Sequence, residues 1–232
     1  TIKNTHTPET IDIEGTKTWD DNDNQDGKRK DAITVRLYAD GSEINSESVT
    51  AAKGWKYKFT DLPKYRGGNE IKYTITEDTV EDYNTDINGY DITNSYTPGK
   101  TSISVLKEWN DADNQDGKRA TSVKVKLVAN GIDVTNSEVT LSADNQWKHT
   151  WNDLPQKSGG KNITYTVKET SSIDGYSAKV TGDAKTGFVV TNSHKPETID
   201  IEGTKTWDDN DNQDGKRPDK ITVRLLANGT ET

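Results

Sequence analysis

Three polar residues fall where strict alternation calls for apolar ones. Along TIDIEGTKTWD, Ile11, Ile13, Lys17 and Trp19 share one face of an extended chain. Along IKYTITE the shared face is Ile71, Tyr73, Ile75 and Glu77, and along YDITNSY it is Tyr90, Ile92, Asn94 and Tyr96. Each inward face therefore carries one polar group: a lysine, a glutamate and an asparagine. The set recurs downstream, with Lys107 after Ile103 and Val105, Glu169 after Tyr165 and Val167, and Asn192 after Phe188 and Val190. Leaving a buried charge unpaired costs several kcal/mol, so the members of each set must meet. Two chemistries fit them. One is a buried Lys–Glu ion pair with the asparagine hydrogen-bonded to it. In the other, the lysine amine attacks the asparagine side-chain amide and expels ammonia, leaving an amide bond. An apolar site favours the neutral, nucleophilic amine and the protonated carboxyl. The protonated glutamate then polarises the amide carbonyl and shuttles a proton to the leaving group. Held by a fold, the reactants combine unimolecularly and only once, so this is self-crosslinking rather than enzyme turnover.

The elements that must hold these residues are short strands. Ile33, Val35 and Leu37 alternate with Thr34 and Arg36, and Trp55, Tyr57 and Phe59 alternate with Lys56 and Lys58. Val123, Val125, Leu127 and then Trp147, His149, Trp151 repeat the pattern. Gly and Asx clusters separate the runs and no segment carries a convincing helical period. The expected class is all-β, with antiparallel β-sandwiches in tandem.

Internal repeats set the domain limits. PETIDIEGTKTWDDNDNQDGKR at 8–29 returns unchanged at 196–217. A weaker copy lies between: TKTWDDNDNQDGKRKDAITVRLYADG at 16–41 matches LKEWNDADNQDGKRATSVKVKLVANG at 106–131, DLPKYRGGNEIKYTITE at 61–77 matches DLPQKSGGKNITYTVKE at 153–169, and DITNSYTP at 91–98 matches VVTNSHKP at 189–196. The expected organisation is two complete domains, 8–97 and 98–195. Residues 1–7 correspond to the last strand of a preceding domain, and residues 196–232 to the first part of a following one. Asn4 then has the acceptor motif and Lys205 the donor motif, each without the rest of its set. Neither is expected to form an intramolecular bond, and 198–232 should pack poorly. Linkers of a few residues around Pro98-Gly99 and Lys195-Pro196 point to a stiff rod.

Hydrophobic residues make up only 28% of the 232, with mean hydropathy −1.00, so each core must be thin. The net charge of −9 argues against nucleic-acid or anionic-membrane partners. No apolar run is long enough to span a bilayer, and residues 1–30 show no signal-peptide pattern. With no cysteine, disulfides, zinc-thiolate sites and thiol nucleophiles are excluded, and so thin a core needs another staple. The acidic loop is a rival site, since Asn22, Asn24, Asp26 and Gly27 echo half of a calcium loop. The pattern then fails: Ile33 stands where a bidentate glutamate belongs, and Ala112 occupies the first position in the second copy. Asp20, Asp21 and Asp23 remain candidates for a non-standard site; otherwise the loop is a solvated Asx turn. His6 and His194 stand at the strand-end position that Tyr96 holds in the first domain, which reads as packing. The tryptophans at matching places (Trp19, Trp109 and Trp207; Trp55 and Trp147) read as core, while Trp151 replaces Phe59. No enzyme signature, metal cluster or cofactor motif stands out.

KTWDDNDNQDGKR, the YTITE strand end and ITNSYTP together resemble the Cna B-type repeat domain of Gram-positive surface adhesins. The resemblance covers essentially the whole chain, with its motifs in order. It implies a prealbumin-like, inverse immunoglobulin-type sandwich. It also implies a Lys–Asn isopeptide bond assisted by an acidic residue: Lys17, Asn94 and Glu77 in the first domain, and Lys107, Asn192 and Glu169 in the second. By the same resemblance the segment is a spacer in an extracellular, cell-wall-anchored virulence protein. Its partners are neighbouring repeats, and any host ligand is bound by another region. Direct binding of a host matrix protein is the competing function, and a calcium-stabilised stalk the other.

Overall fold

The computed structural model describes residues 1–232 and divides into two compact units, Thr1–Lys195 and Pro196–Thr232. The larger unit holds two sandwiches. In the first, one sheet orders the strands β4 (Lys56–Pro63), β1 (Thr10–Asp20), β9 (Asp91–Ser95) and β8 (Asn84–Asn88). Its other sheet orders β3 (Ser42–Thr50), β2 (Ala32–Ala39) and β7 (Tyr73–Glu77), and a small ribbon pairs β5 (Tyr65–Arg66) with β6 (Asn69–Glu70). The second sandwich repeats this plan. One sheet orders β14 (Lys148–Pro155), β10 (Lys100–Asn110), β19 (Gly187–Ser193) and β18 (Ser177–Asp183). Opposite it, β11 (Ser122–Ala129) pairs with β12 (Ile132–Asp133), β13 (Val139–Ser142) and β17 (Tyr165–Glu169). The ribbon is β15 (Lys157–Ser158) with β16 (Lys161–Asn162).

Local chemistry explains the hairpins. Asp40-Gly41 and Asn130-Gly131 supply the paired positive φ angles (52° and 82°, 50° and 81°) that a two-residue turn needs to match strand twist. The inward faces then close over two separate cores, one around Ile13, Val35, Leu37, Val49, Phe59 and Ile92, the other around Ile103, Val125, Leu127, Leu141, Trp151 and Val190. The all-β sandwich expectation holds. Every ladder is antiparallel except one in each domain: β1 runs parallel to β9, and β10 parallel to β19. The chain thus enters a domain along one strand and leaves along its neighbour in the same direction. Besides strands there are only two single turns of 3₁₀-helix, Ala51–Lys53 and Ala143–Asn145.

Residues 1–9 form no strand, and Asn4 is exposed. In the smaller unit, residues 196–207 repeat the sequence at 8–19 that contains most of β1, yet they form no strand. Only β20 (Leu226–Ala227) and β21 (Thr230–Glu231) pair, around Asn228-Gly229. Ile13 and Ile103 are 2% and 1% exposed, whereas Ile201 at the same repeat position is 65% exposed. The same residues become a strand only where neighbours exist to take their backbone hydrogen bonds and cover their apolar face.

Candidate functional site

The two domains bring their sets together in the same way. In the parallel ladder Lys17 pairs with Ile92 and Trp19 with Asn94, so Lys17 and Asn94 are diagonal neighbours on one face of adjacent strands. Glu77 comes from the opposite sheet, where it pairs with Val35. The second domain reproduces the register, with Lys107 opposite Val190, Trp109 opposite Asn192, and Glu169 opposite Val125. All are interior. Lys17 and Lys107 are 2% and 3% exposed, and Asn94 and Asn192 are 0% and 2% exposed.

Contacts within the sets are incomplete, which is informative. Lys17 Nζ lies 3.4 Å from Glu77 Oε1, and its one hydrogen bond is to the Thr18 carbonyl at 3.3 Å. Both amide atoms of Asn94 are buried without a hydrogen-bond partner. In the second domain Asn192 Nδ2 donates to Glu169 Oε1 at 3.1 Å, Lys107 Nζ donates to the Glu108 carbonyl at 2.5 Å, and Asn192 Oδ1 and Glu169 Oε2 lack partners. Each unsatisfied buried polar atom costs about 1–3 kcal/mol, so each set is held at a cost in polar contacts. Burial pushes both lysines down to about 8, against the raising effect of the facing glutamate. Burial likewise raises the Glu169 carboxyl, opposed by the Asn192 hydrogen bond and the Lys107 charge.

Several residues position the set in a way that sequence reasoning had not assigned to them. The Lys17 backbone N–H donates to the Trp55 carbonyl at 2.7 Å, and Lys107 to Trp147 at 2.8 Å. Trp55 and Trp147 face that way because each has a left-handed backbone (φ 57° and 60°). The Trp19 ring sits under the amine, 4.4 Å from Nζ, and Trp109 lies 3.8 Å from Lys107. Trp19 is held edge-on by Trp55 and Tyr83 at 5.3 and 5.1 Å, with Arg29 at 5.7 Å. Arg29 is fixed in turn by Asp21, 2% exposed, which accepts from its Nε (3.1 Å) and Nη2 (2.5 Å), from the Tyr83 hydroxyl (2.8 Å) and from the Asn24 N–H (2.9 Å). Burial alone would raise the Asp21 carboxyl; these donors hold it below its ordinary value. Asp111, Arg119 and Tyr176 form the same group in the second domain, and Arg119 holds Asp111 well below the carboxylate range. The signal for this group was in the sequence: Asp21 and Arg29, Asp111 and Arg119 recur at one spacing in both copies.

The acidic turn is therefore not a solvated loop throughout. Asn22, Asp23 and Asn24 make a left-handed turn (φ 51°, 54° and 59°), but Asp21 points inward and its oxygens are committed to Arg29 and Tyr83. No group of three or more His, Cys, Asp or Glu side chains is arranged to hold a metal. His194 does more than pack: its ring stacks near Tyr176 at 5.1 Å and bonds Asp116 at 2.9 Å and the Gly175 carbonyl at 2.7 Å. His149 packs edge-on against Trp151 at 4.8 Å. Trp151 is accommodated because its indole N–H donates to the Ser137 carbonyl at 3.0 Å, in the loop that separates β12 from β13. In the smaller unit Lys205 Nζ lies 4.0 Å from the Trp207 ring, and Asp209 accepts from Arg217 and from the Asn212 N–H. No acceptor asparagine or glutamate partner joins Lys205, and none joins Asn4 to a lysine.

Comparison with known proteins bears on the family and the fold. A curated relative, the collagen adhesin of Staphylococcus aureus, is 51% identical over 228 residues, which is 98% of this chain and 19% of that protein's length. The crystal structure of two B repeat units of the S. aureus collagen binding protein is 49% identical, covers 97% of this chain and 60% of that one, and superposes with a TM-score of 0.56. A single B repeat unit of the same protein is 47% identical, covering 81% of this chain and all of that one, with a TM-score of 0.41. The family model described as the Cna protein B-type domain matches residues 13–95, 103–193 and 201–232, and the chain belongs to that family.

Proposed function

We propose that this segment is a tension-carrying spacer of an extracellular surface adhesin, built of complete domains at 8–97 and 98–195 and stiffened by self-formed isopeptide bonds from Lys17 to Asn94 and from Lys107 to Asn192. The observation that carries the reading is the buried lysine, glutamate and asparagine set, repeated in both domains across the first and last strands. The neutral lysine amine adds to the asparagine Cγ. The protonated glutamate gives its proton to Nδ2 as the Cγ–Nδ2 bond breaks and ammonia leaves, and takes in exchange the proton released by the amine, so the carboxyl ends as it began. The two domains present the two halves of that shuttle, Glu77 beside the amine and Glu169 beside the amide nitrogen. The product removes the buried, titratable amine and leaves one amide N–H, and the carbonyl oxygen becomes the natural acceptor for the protonated carboxyl.

The mechanical consequence follows from strand direction. The first strand enters and the parallel last strand leaves at opposite ends, so tension shears the ladder between them. A bond from Lys17 to Asn94 carries that tension directly and shields the segment between, which would otherwise release roughly 250 Å of chain. By analogy with a disulfide closing a similar loop, the link stabilises the fold by about 4.5 kcal/mol, and reductants do not cleave it.

Intact mass tests this. The full chain should weigh two ammonia molecules less than its sequence, and Glu77→Ala and Glu169→Ala should each restore one. An unmodified mass in folded protein would leave buried ion pairs and remove the covalent part of the reading. The relative's name supplies a second reading, matrix binding; saturable binding of this segment to a matrix protein would replace the pure spacer role.

A further inference from the structure

Two kinds of buried polar atom go unanswered beside the lysine, glutamate and asparagine, and they are complementary. Trp19 and Trp109 each bury an indole Nε1–H that has no hydrogen-bond partner, and Asn94 and Asn192 each bury an Oδ1 that has none. In the second domain Asn192 Nδ2 already donates to Glu169, so Oδ1 is the atom left without a partner. A donor and an acceptor are thus both unused, in both domains. Register puts them side by side. Trp19 pairs with Asn94 and Trp109 with Asn192 across the parallel ladder, so their side chains leave the same face of strands about 4.8 Å apart. Each indole is also fixed in place. Trp109 meets Trp147 and Tyr176 edge-on at 5.5 and 5.3 Å, as Trp19 meets Trp55 and Tyr83. A buried N–H without a partner is uncommon in a native fold. One repeated at the same place in both domains points to a partner that arises only during a reaction.

The crosslinking reaction supplies that partner. When lysine Nζ adds to the asparagine Cγ, the carbonyl π pair moves onto Oδ1, which becomes an oxyanion. The glutamate is not free to hold it at that stage, because its own proton is passing to Nδ2 and it is taking up the amine's. We propose that the indole N–H of Trp19, and of Trp109 in the second domain, is the oxyanion donor of this reaction, hydrogen-bonding Oδ1 as the lysine adds. The indole keeps its proton throughout. As the C=O re-forms and the Cγ–Nδ2 bond breaks, the carbonyl oxygen remains its acceptor, and the reprotonated carboxyl joins it there. A donor already fixed beside the developing charge, in an interior shielded from water, stabilises that charge without having to reorient. This role rests on the crosslink reading, and the test below separates the two.

The full chain is collected unfolded in urea, shown by intact mass to be unlinked, and refolded by dilution. Samples quenched in acid and digested assign each loss of ammonia to its domain, so every molecule carries its own control. Trp19→Phe should slow the first domain's loss about a hundredfold and leave the second's unchanged, and Trp109→Phe should do the reverse. Phenylalanine keeps an aromatic face toward the amine but has no N–H. Where it leaves the domain unfolded by near-ultraviolet circular dichroism, benzothienylalanine at the same position, with sulfur in place of the N–H, keeps the shape and should give the same slowing. A merely structural disturbance would move the pH at which the rate rises, since that rise reports the amine, held down to about 8 by burial. Loss of an oxyanion donor should instead lower the rate at every pH and leave the midpoint in place. A folded parent that loses no ammonia removes the crosslink reading and this role with it. Ammonia loss in the parent with unchanged rates in both tryptophan variants, or a slowing fully accounted for by a shifted midpoint, overturns the oxyanion role alone.

Discussion

The two sandwiches place the same lysine, glutamate and asparagine in the same interior positions, with the same tryptophans and Asp–Arg–Tyr group beside them, while differing in the strand pairing and in part of the core. The parallel ladder beside the site runs from Lys17 to Asp20 in the first domain and from Val105 to Asn110 in the second. The first domain's ladder is cut short at Gly15, where the Tyr57 ring and hydroxyl fill the space and bond the Tyr90 carbonyl. In the second domain the cross-strand pair Gly15–Tyr57 becomes Val105–His149, and the ladder continues through it. Phe59 becomes Trp151, whose polar edge is met by a break in the facing strand. Strand parity and the left-handed acidic turn hold the site; the surrounding core is free to repack provided volume and hydrogen bonding are conserved.

The comparison can be broken most forcefully at the proposed bond. Asn94→Ala and Asn192→Ala should each lower the stability of their own domain by about 4.5 kcal/mol, read from urea melts. Under single-molecule stretching the domain with Asn94→Ala should yield at lower force than the domain with Asn192→Ala, because its parallel ladder is shorter. Equal rupture forces would show that ladder length is irrelevant.

A smaller effect sharpens the likeness. In these unlinked variants the lysine still titrates, at about 8 when folded and 10.5 when unfolded. Between those values the unfolded chain binds more protons, so stability rises with pH, by at most about 3 kcal/mol per site. The penalty is fully present below pH 8 and gone above 10.5. The linked parent, whose lysine no longer titrates, should lack this rise, and a parent that shows it would place the amine unreacted.

Next in size is the repacked pair. Gly15→Val should destabilise the first domain by about 2 kcal/mol, because its Cβ meets the Tyr90 carbonyl and the Tyr57 ring. Adding Tyr57→His removes the ring but not the Tyr90 carbonyl, so it should recover part of the loss, measured as coupling in a double-mutant cycle. Additive losses would mean that the second domain's pair depends on further neighbours.

The smallest effect concerns His194, raised by its bond to Asp116 and then by the Gly175 carbonyl. Its contribution is complete below the unfolded value of 6.5 and is lost as pH rises through the higher folded value. Thermal melts of the second domain should show a shallow decline there, and His194→Tyr should flatten it to match Tyr96 in the first domain.

How far the sequence alone reached depended on the kind of geometry involved. Lys17, Glu77 and Asn94 were legible because a strand alternates faces with period two, so a polar residue at an inward position is visible without coordinates. Parity carries no information about direction, which is why the parallel pairing of β1 with β9 was not foreseen. It also stops at strand ends: Asp21, one residue past β1, was read as part of a solvated turn although it is interior. Trp55 looked like one more inward aromatic, whereas its left-handed backbone aims a carbonyl at the reactive strand. In residues 196–207 the local pattern is that of β1, and only the missing neighbours decide that no strand forms.

The smaller unit shows how much of the lysine's surroundings is local in sequence. The chain leaves the ribosome N-terminus first, so the donor lysine, its tryptophan and the acidic turn emerge well before the acceptor strand. In residues 205–217 these parts are already assembled: Lys205 lies against Trp207, and Asp209 is closed onto Arg217. The lysine of each domain is thus housed by local sequence, and under the proposed crosslink the arrival of the last strand would be the event that starts the chemistry.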